Sequence, residues 1–180
     1  MNAFRTGLVL NYRVSIATLK LIGVFILLLT ANDCAAGNHS IEVGAKAPNF
    51  TLPNLEGKDV NLEQLISNKK YSLILIWGVW CPYCRAIIVD LKQSAADYKK
   101  SGVQLVAVSI GESSFKVSIF INQLQPGFPV LVDEWASLKE PYLVKDVPRI
   151  VLLDQKGIVR HTSITTSIEE IRILLESLKK

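Results

Sequence analysis

Tyr71-Ser72-Leu73-Ile74-Leu75-Ile76-Trp77-Gly78-Val79-Trp80-Cys81-Pro82-Tyr83-Cys84 runs from a nearly unbroken apolar heptad into two cysteines three positions apart. The heptad suits a strand buried on both faces. Beyond it Cys84, Ile87, Ile88, Leu91, Ala95 and Tyr98 fall on one face at helical spacing, and Lys99-Lys100 followed by Gly102 ends the helix. Val103 to Ser109 is a second apolar run. Strand, helix, strand predicts parallel neighbours joined by a right-handed crossover.

Upstream, Asn49 to Leu52 alternates like an edge strand, and Pro53 to Lys58 supplies turn residues. Asn61 with Gln64, and Val60 placed against Leu65, predict a short helix over 62–67. Downstream, Ser114 to Gln123 reads as a helix stopped by Pro126-Gly127, and Phe128 to Asp133 as a strand. Trp135 to Tyr142 reads as a short helix. Arg149–Asp154 and Ile158–His161 form a hairpin turned at Gln155-Lys156-Gly157. Ser167 with Glu170 gives a capping box, followed by the stripe Ile168, Ile171, Leu174, Leu175 and Leu178. The fold class is therefore α/β: a central mixed sheet flanked by helices, parallel in its first half and closed by a hairpin.

The N-terminus differs in kind. Arg5, Arg13 and Lys20 precede an apolar run from Leu21 to Ala31, with small residues at Ala35, Ala36 and Gly37. A run of this length suits a signal-peptide core and is short for a bilayer span. Residues 1–36 are expected to be a signal peptide cleaved after Ala36, or a retained membrane anchor. Residues 37–47 are expected to link it to a domain over 48–180. Charge adds little: net +4 over 180 residues, with scattered lysines and no basic stripe interleaved with aromatics. That pattern excludes a nucleic-acid binder.

The cysteines carry the chemistry. Loss of Cys34 with the leader leaves Cys81 and Cys84, and a secreted chain with one such close pair is not a disulfide scaffold. A bridge this short contributes little loop entropy. Cys81 falls at a helix cap with Pro82 in the first turn, where its missing amide proton is not needed. The amides and dipole of that turn favour thiolate, the attacking species. Cys84 lies ~5–6 Å away at helical spacing, within reach of a disulfide. Cys81 is expected to attack a partner disulfide, and a shielded Cys84 to resolve the mixed bond. A zinc site would need two further ligands from Cys34, His39 or His161, none obviously near the pair.

The chain resembles the TlpA-like branch of the thioredoxin superfamily. These are membrane-anchored or periplasmic thiol–disulfide oxidoreductases that include the ResA- and DsbE-type proteins of cytochrome c maturation. The resemblance covers about residues 44–178 and rests on four segments in order: Gly44 to Leu52, Trp77 to Cys84, Phe128 to Asp133, and Val147-Pro148 with Ile150 to Gly157. It implies a thioredoxin-like fold with an N-terminal extension and an added strand–helix insertion. It implies a cis Val147–Pro148 bond facing the cysteines, with the Val147 backbone free to pair with a partner chain. Trp80, Pro82, Tyr83, Val147 and Pro148 would then contact the partner. The implied partners are protein thiols and disulfides and a membrane or periplasmic electron donor, with no cofactor beyond the Cys81–Cys84 disulfide, the protein acting as a monomer. Three positions depart from family patterns. Ile87 stands where ResA-type proteins carry glutamate, Leu75 where thioredoxin carries a buried aspartate, and Arg149 where threonine is common after the proline. Proton transfer at Cys84 must then use water or a distant group.

Two other functions remain open to the same residues. A copper chaperone of related fold would want a wider cysteine spacing and a paired histidine. A redoxin-type peroxidase would want threonine three residues before its cysteine, where this chain has Gly78.

Overall fold

The computed structural model describes residues 41–179. The segments read above as leader, with Cys34 and His39, lie outside the described residues. A five-stranded sheet forms the centre. β1 (Thr51–Pro53) and β2 (Asp59–Asn61) form a separate antiparallel pair. α1 (Leu62–Ile66) follows, then β3 (Tyr71–Trp77), α2 (Pro82–Lys100), β4 (Val103–Ile110), α3 (Ser114–Leu124) and β5 (Val130–Asp133). β6 (Arg149–Asp154), β7 (Val159–Ile164) and α4 (Ile168–Ser177) complete the chain. The strand order is β5-β4-β3-β6-β7.

β3 pairs parallel with β4, from Tyr71 opposite Val103 to Trp77 opposite Ser109. β4 pairs parallel with β5, whereas β6 runs antiparallel to both β3 and β7. The crossovers through α2 and α3 therefore step in the same direction along the sheet, and right-handedness places both helices on one face. Leu73, Leu75 and Trp77 of β3 meet Cys84, Ile87, Ile88 and Leu91 of α2, Val117 and Ile121 of α3, and Ile171 and Leu175 of α4 there. The opposite face is covered by lighter pieces. Ile74, Ile76, Val106 and Val108 pack against Phe50 and Leu52, against Leu62 and Ile66 of α1, and against Leu138, Tyr142 and Val144. Each such buried aliphatic side chain contributes about 1.5–3 kcal/mol through removal from water.

The six residues read as the buried stripe of α2 are its six buried residues. Asn61 caps α1 by accepting from the Glu63 amide, and Ser167 caps α4 by accepting from the Glu170 amide. Four readings differ from the structure. β2 was not foreseen, because Asp59-Val60-Asn61 is too short to show alternation. The last strand runs on to Ile164 through Thr162 and Ser163, polar edge residues with no apolar pattern.

No helix forms over 135–142. Pro141 lacks the amide a helix needs, and Ala136 and Leu143 adopt positive φ (54° and 49°). The Asp133 carboxylate, 2% exposed, instead accepts from the amides of Ser137 and Leu138 and from the Ser137 hydroxyl, all at 2.8 Å. Tyr142 pins the far end, its hydroxyl donating to the Pro48 carbonyl at 2.7 Å. Residues 41–47 are not a loose connection either. Ile41 and Ala47 are buried, and Gly44 and Ala47 donate to the carbonyls of Val159 and Gly157 at the hairpin.

Candidate active site

The register of the sheet assembles the site. β3 ends at Trp77 beside the start of β6 at Arg149, because Ile76 pairs antiparallel with Arg149. The turn leaving β3 and the loop entering β6 must therefore meet at the same end of the sheet, past the carboxyl end of β3. Cys81 sits at the N-cap of α2 in extended conformation, with Pro82 in the first turn. The Gly78 carbonyl accepts from the Cys81 amide at 3.0 Å and closes the turn between strand and helix.

Cys81 and Cys84 are joined as a disulfide with Cα atoms 5.3 Å apart. The Cys84 amide donates to Cys81 Sγ at 3.1 Å, so the first turn of the helix aims a polar hydrogen at that sulfur. Cys84 is fully enclosed, and Cys81 keeps 4% exposure. Against the apolar cluster of Leu75, Ile87 and Ile150, Cys84 has no carboxylate neighbour at either family position. Trp80 and Tyr83 flank the pair as exposed aromatic side chains, and Pro82 is exposed between them.

The Val147–Pro148 peptide bond is cis. The Val147 carbonyl lies 3.9 Å from Cys81 Sγ. The Val147 amide is not free, since Asp146 Oδ1 accepts from it at 3.1 Å. A partner strand pairing there would have to displace Asp146. Pro148 is buried and Val147 half-buried. The structure thus brings together Trp80, Cys81, Tyr83, Cys84, Val147 and Pro148, and leaves His161 on β7 with its Nε2 3.1 Å from Ser163 Oγ. The Arg149 side chain makes no hydrogen bond or ion pair among the described residues, its Nε is buried, and desolvation lowers its pKa.

One residue escaped the sequence reading. Glu112, in the loop after β4, accepts from the Val79 amide at 2.6 Å and lies 3.4 Å from Ser109 Oγ. It ties the turn that carries Cys81 to the neighbouring strand. Its position just past the carboxyl end of a parallel strand is the available signal, because sites in open α/β sheets gather there. Gly78 makes room for the same turn. A Cβ built on it would stand 2.5 Å from Trp80 Nε1 and 2.8 Å from its Cε2.

Known proteins of similar sequence and fold share this architecture. Residues 43–162 match the AhpC/TSA family. The ResA thiol–disulfide oxidoreductase of Bacillus subtilis is 32% identical over 141 residues, covering 75% of this chain and 78% of the relative. The ResA protein of Geobacillus thermodenitrificans is 30% identical over 141 residues, covering 78% and 80%. Among solved structures, a Chlorobium tepidum protein proposed to be a thiol:disulfide interchange protein, DsbE, superposes with a TM-score of 0.70 at 27% identity. That match covers 78% of this chain and all of the other. The chain belongs to the AhpC/TSA family of thioredoxin-fold proteins, within its ResA-like branch of thiol–disulfide oxidoreductases.

Proposed function

We propose that this oxidoreductase is a reductase of protein disulfides outside the cytoplasm, with Cys81 as attacking and Cys84 as resolving sulfur. The observation that carries the reading is the pair itself: Cys81 Sγ at a helix N-cap receiving the Cys84 amide, with Cys84 enclosed behind it. The amide and the helix dipole favour thiolate at Cys81. That thiolate attacks one sulfur of a partner disulfide, forms a mixed disulfide and expels the other partner sulfur as thiolate, which takes a proton from water. Cys84 then loses its proton and attacks Cys81 Sγ, closing the Cys81–Cys84 bond and releasing the second partner thiol. Two electrons pass from the protein dithiol to the partner disulfide, and a membrane or periplasmic dithiol donor restores the dithiol.

Trp80, Pro82, Tyr83, Val147 and Pro148 are the residues proposed to contact the partner. Residues 1–36 would deliver or anchor a monomeric domain on the extracytoplasmic side, and no helix among the described residues is long and apolar enough to cross a membrane. A link to cytochrome c maturation is supported by family resemblance, although Ile87 and Leu75 depart from the carboxylate positions that accompany it elsewhere.

The test is trapping. The Cys84→Ser protein should accumulate partners as mixed disulfides on Cys81, identified by mass spectrometry, and Cys81→Ser should hold none. Equilibration with glutathione buffers reads direction: active sites of this fold span about −270 to −120 mV, and a value near the oxidising end would overturn reductase in favour of oxidase.

A further inference from the structure

Folding collects, at the end of the domain remote from the cysteines, lysines that are scattered along the sequence. α2 carries 19 residues from its cap at Cys81 to Lys100, about 28 Å, so its C-terminus marks that end. The start of β3, the turn between β6 and β7 and the last turn of α4 lie there too, and Lys70 Nζ donates to the Leu178 carbonyl at 3.5 Å. Residues 41–179 hold 16 basic and 15 acidic side chains, yet eight of the bases and only four of the acids are at this end. Glu63, Asp97, Asp154 and Glu176 each pair with one base: Lys46 at 3.4 Å, Lys100 at 3.5 Å, Arg160 at 2.6 Å and Lys179 at 2.6 Å. Lys69, Lys70, Lys99 and Lys156 are left without an ion pair among the described residues.

Lysines in the last turn of α2 complement its dipole and need no other reason. Lys70 and Lys156 stand at a strand entry and in a hairpin turn, where no helix end calls for them. Between them lies a cleft of about 520 Å³ with an apolar wall of Leu152, Leu174 and Leu178. Arg160 and Asp154 also line it and neutralise one another, so Lys70 and Lys156 set its charge. An apolar wall beneath two unpaired ammonium groups suits the headgroup and upper acyl chain of an anionic phospholipid; a soluble anion would leave the leucines without a partner.

We infer that this end docks on an anionic phospholipid surface, with a headgroup phosphate held between Lys70 and Lys156. The inference does not depend on the exchange reaction. The chain itself leads to this end: Ala47 donates to the Gly157 carbonyl beside Lys156, and Ile41 lies ten positions past Ala31, where the apolar run stops. Ten residues span at most ~35 Å, so an anchor retained there holds the domain beside the headgroups. Docked this way, the cysteine pair faces away from the lipid and stays open to partners. Each basic residue at an anionic surface changes affinity about fivefold, and salt screens the effect.

The experiment places the full chain in nanodiscs of phosphatidylcholine, with or without phosphatidylglycerol, and follows acetylation of each lysine by mass spectrometry. The hydrophobic segment is the same in both, so any difference belongs to the charged end. Lys69, Lys70, Lys99 and Lys156 should label about fivefold more slowly in the anionic discs, and the protection should vanish near 1 M salt, where the screening length is about 3 Å. Lys139 and Lys145, which line the cleft beside Trp80 and Val147, should label alike in both discs, and the emission of the exposed Trp80 and Trp135 should not move. In Lys70→Glu/Lys156→Glu, Lys69 and Lys99 should lose their dependence on lipid charge while disulfide exchange keeps the parent rate. Equal labelling in the two discs would overturn the inference. Protection of Lys139 and Lys145 with a shifted tryptophan emission would also overturn it, by turning the cysteine end to the lipid. Protection of Lys70 and Lys156 by inorganic phosphate in neutral discs, with none from anionic lipid, would overturn it in favour of a soluble-anion site.

Discussion

Removal of the Glu112 carboxylate tests whether the turn carrying Cys81 is held from the adjacent strand. The bond to the Val79 amide is 2.6 Å and lies in a half-buried setting. A hydrogen bond to a charged group contributes about 1.5–3 kcal/mol, and a neutral one about 0.5–1.5. Glu112→Ala leaves the amide unpaired and should cost ~2 kcal/mol; Glu112→Gln retains a neutral acceptor and should cost ~1 kcal/mol. For a domain of this size 1 kcal/mol corresponds to ~3 °C in Tm, so falls of ~6 °C and ~3 °C are expected by thermal unfolding. Exchange with a peptide disulfide should slow in the same order, alanine more than glutamine, because the turn that aims Cys81 loosens. Two variants unfolding within ~1 °C of the parent would refute this tie, as would glutamine proving as damaging as alanine.

Other outcomes follow from the same contacts. Gly78→Ala places a Cβ against the Trp80 indole; because that ring is exposed and can swing, stability should fall by less than ~1 kcal/mol while the tryptophan emission shifts and partner exchange slows. An unshifted emission would show that the ring does not rest on Gly78. Asp154 caps the β6–β7 hairpin. Burial alone would raise its pKa, but the Ile158 amide, Arg160 and the Lys156 amide together hold it below the usual carboxylate range. A depressed folded pKa stabilises above the unfolded value and is lost as pH falls through the folded one. Acid unfolding should therefore lose a component in Asp154→Asn, and an unchanged acid limb would contradict it. Tyr98 is raised to about 12 by desolvation first and by Glu176 second, with its hydroxyl 3.2 Å from that carboxylate. The stability from its neutral form is complete below the ordinary tyrosine value and lost as pH rises through about 12. Phenolate absorbance in Tyr98→Phe should lose that late-titrating step, and its persistence would assign it elsewhere.

What the sequence disclosed is mainly what is local. Tyr71 to Trp77 shows its strand by continuous apolarity, α2 shows its face by spacing, and Asn61 and Ser167 show their caps by residue type. The segment from Trp135 to Tyr142 is not helical because the Asp133 carboxylate and the Tyr142 hydroxyl hold it in turns, contacts that form only in the folded chain. Glu112 could not be read because its partner lies 33 residues back, and the contact exists only once β3 and β4 align. The meeting of Val147–Pro148 with Cys81 likewise needs the antiparallel register of β3 and β6, so it entered through family resemblance rather than through the residues themselves. The missing carboxylates at Ile87 and Leu75 were legible at once. That Glu112, in the loop after β4, brings a carboxylate to the turn carrying Cys81 was not.

The most direct measurement is the alkylation of the two thiols in the reduced native protein, resolved by mass spectrometry across neutral pH. Cys81 should react faster than free cysteine, and Cys84 only after unfolding. Equal labelling of both, or a Cys81 no more reactive than a free thiol, would contradict it.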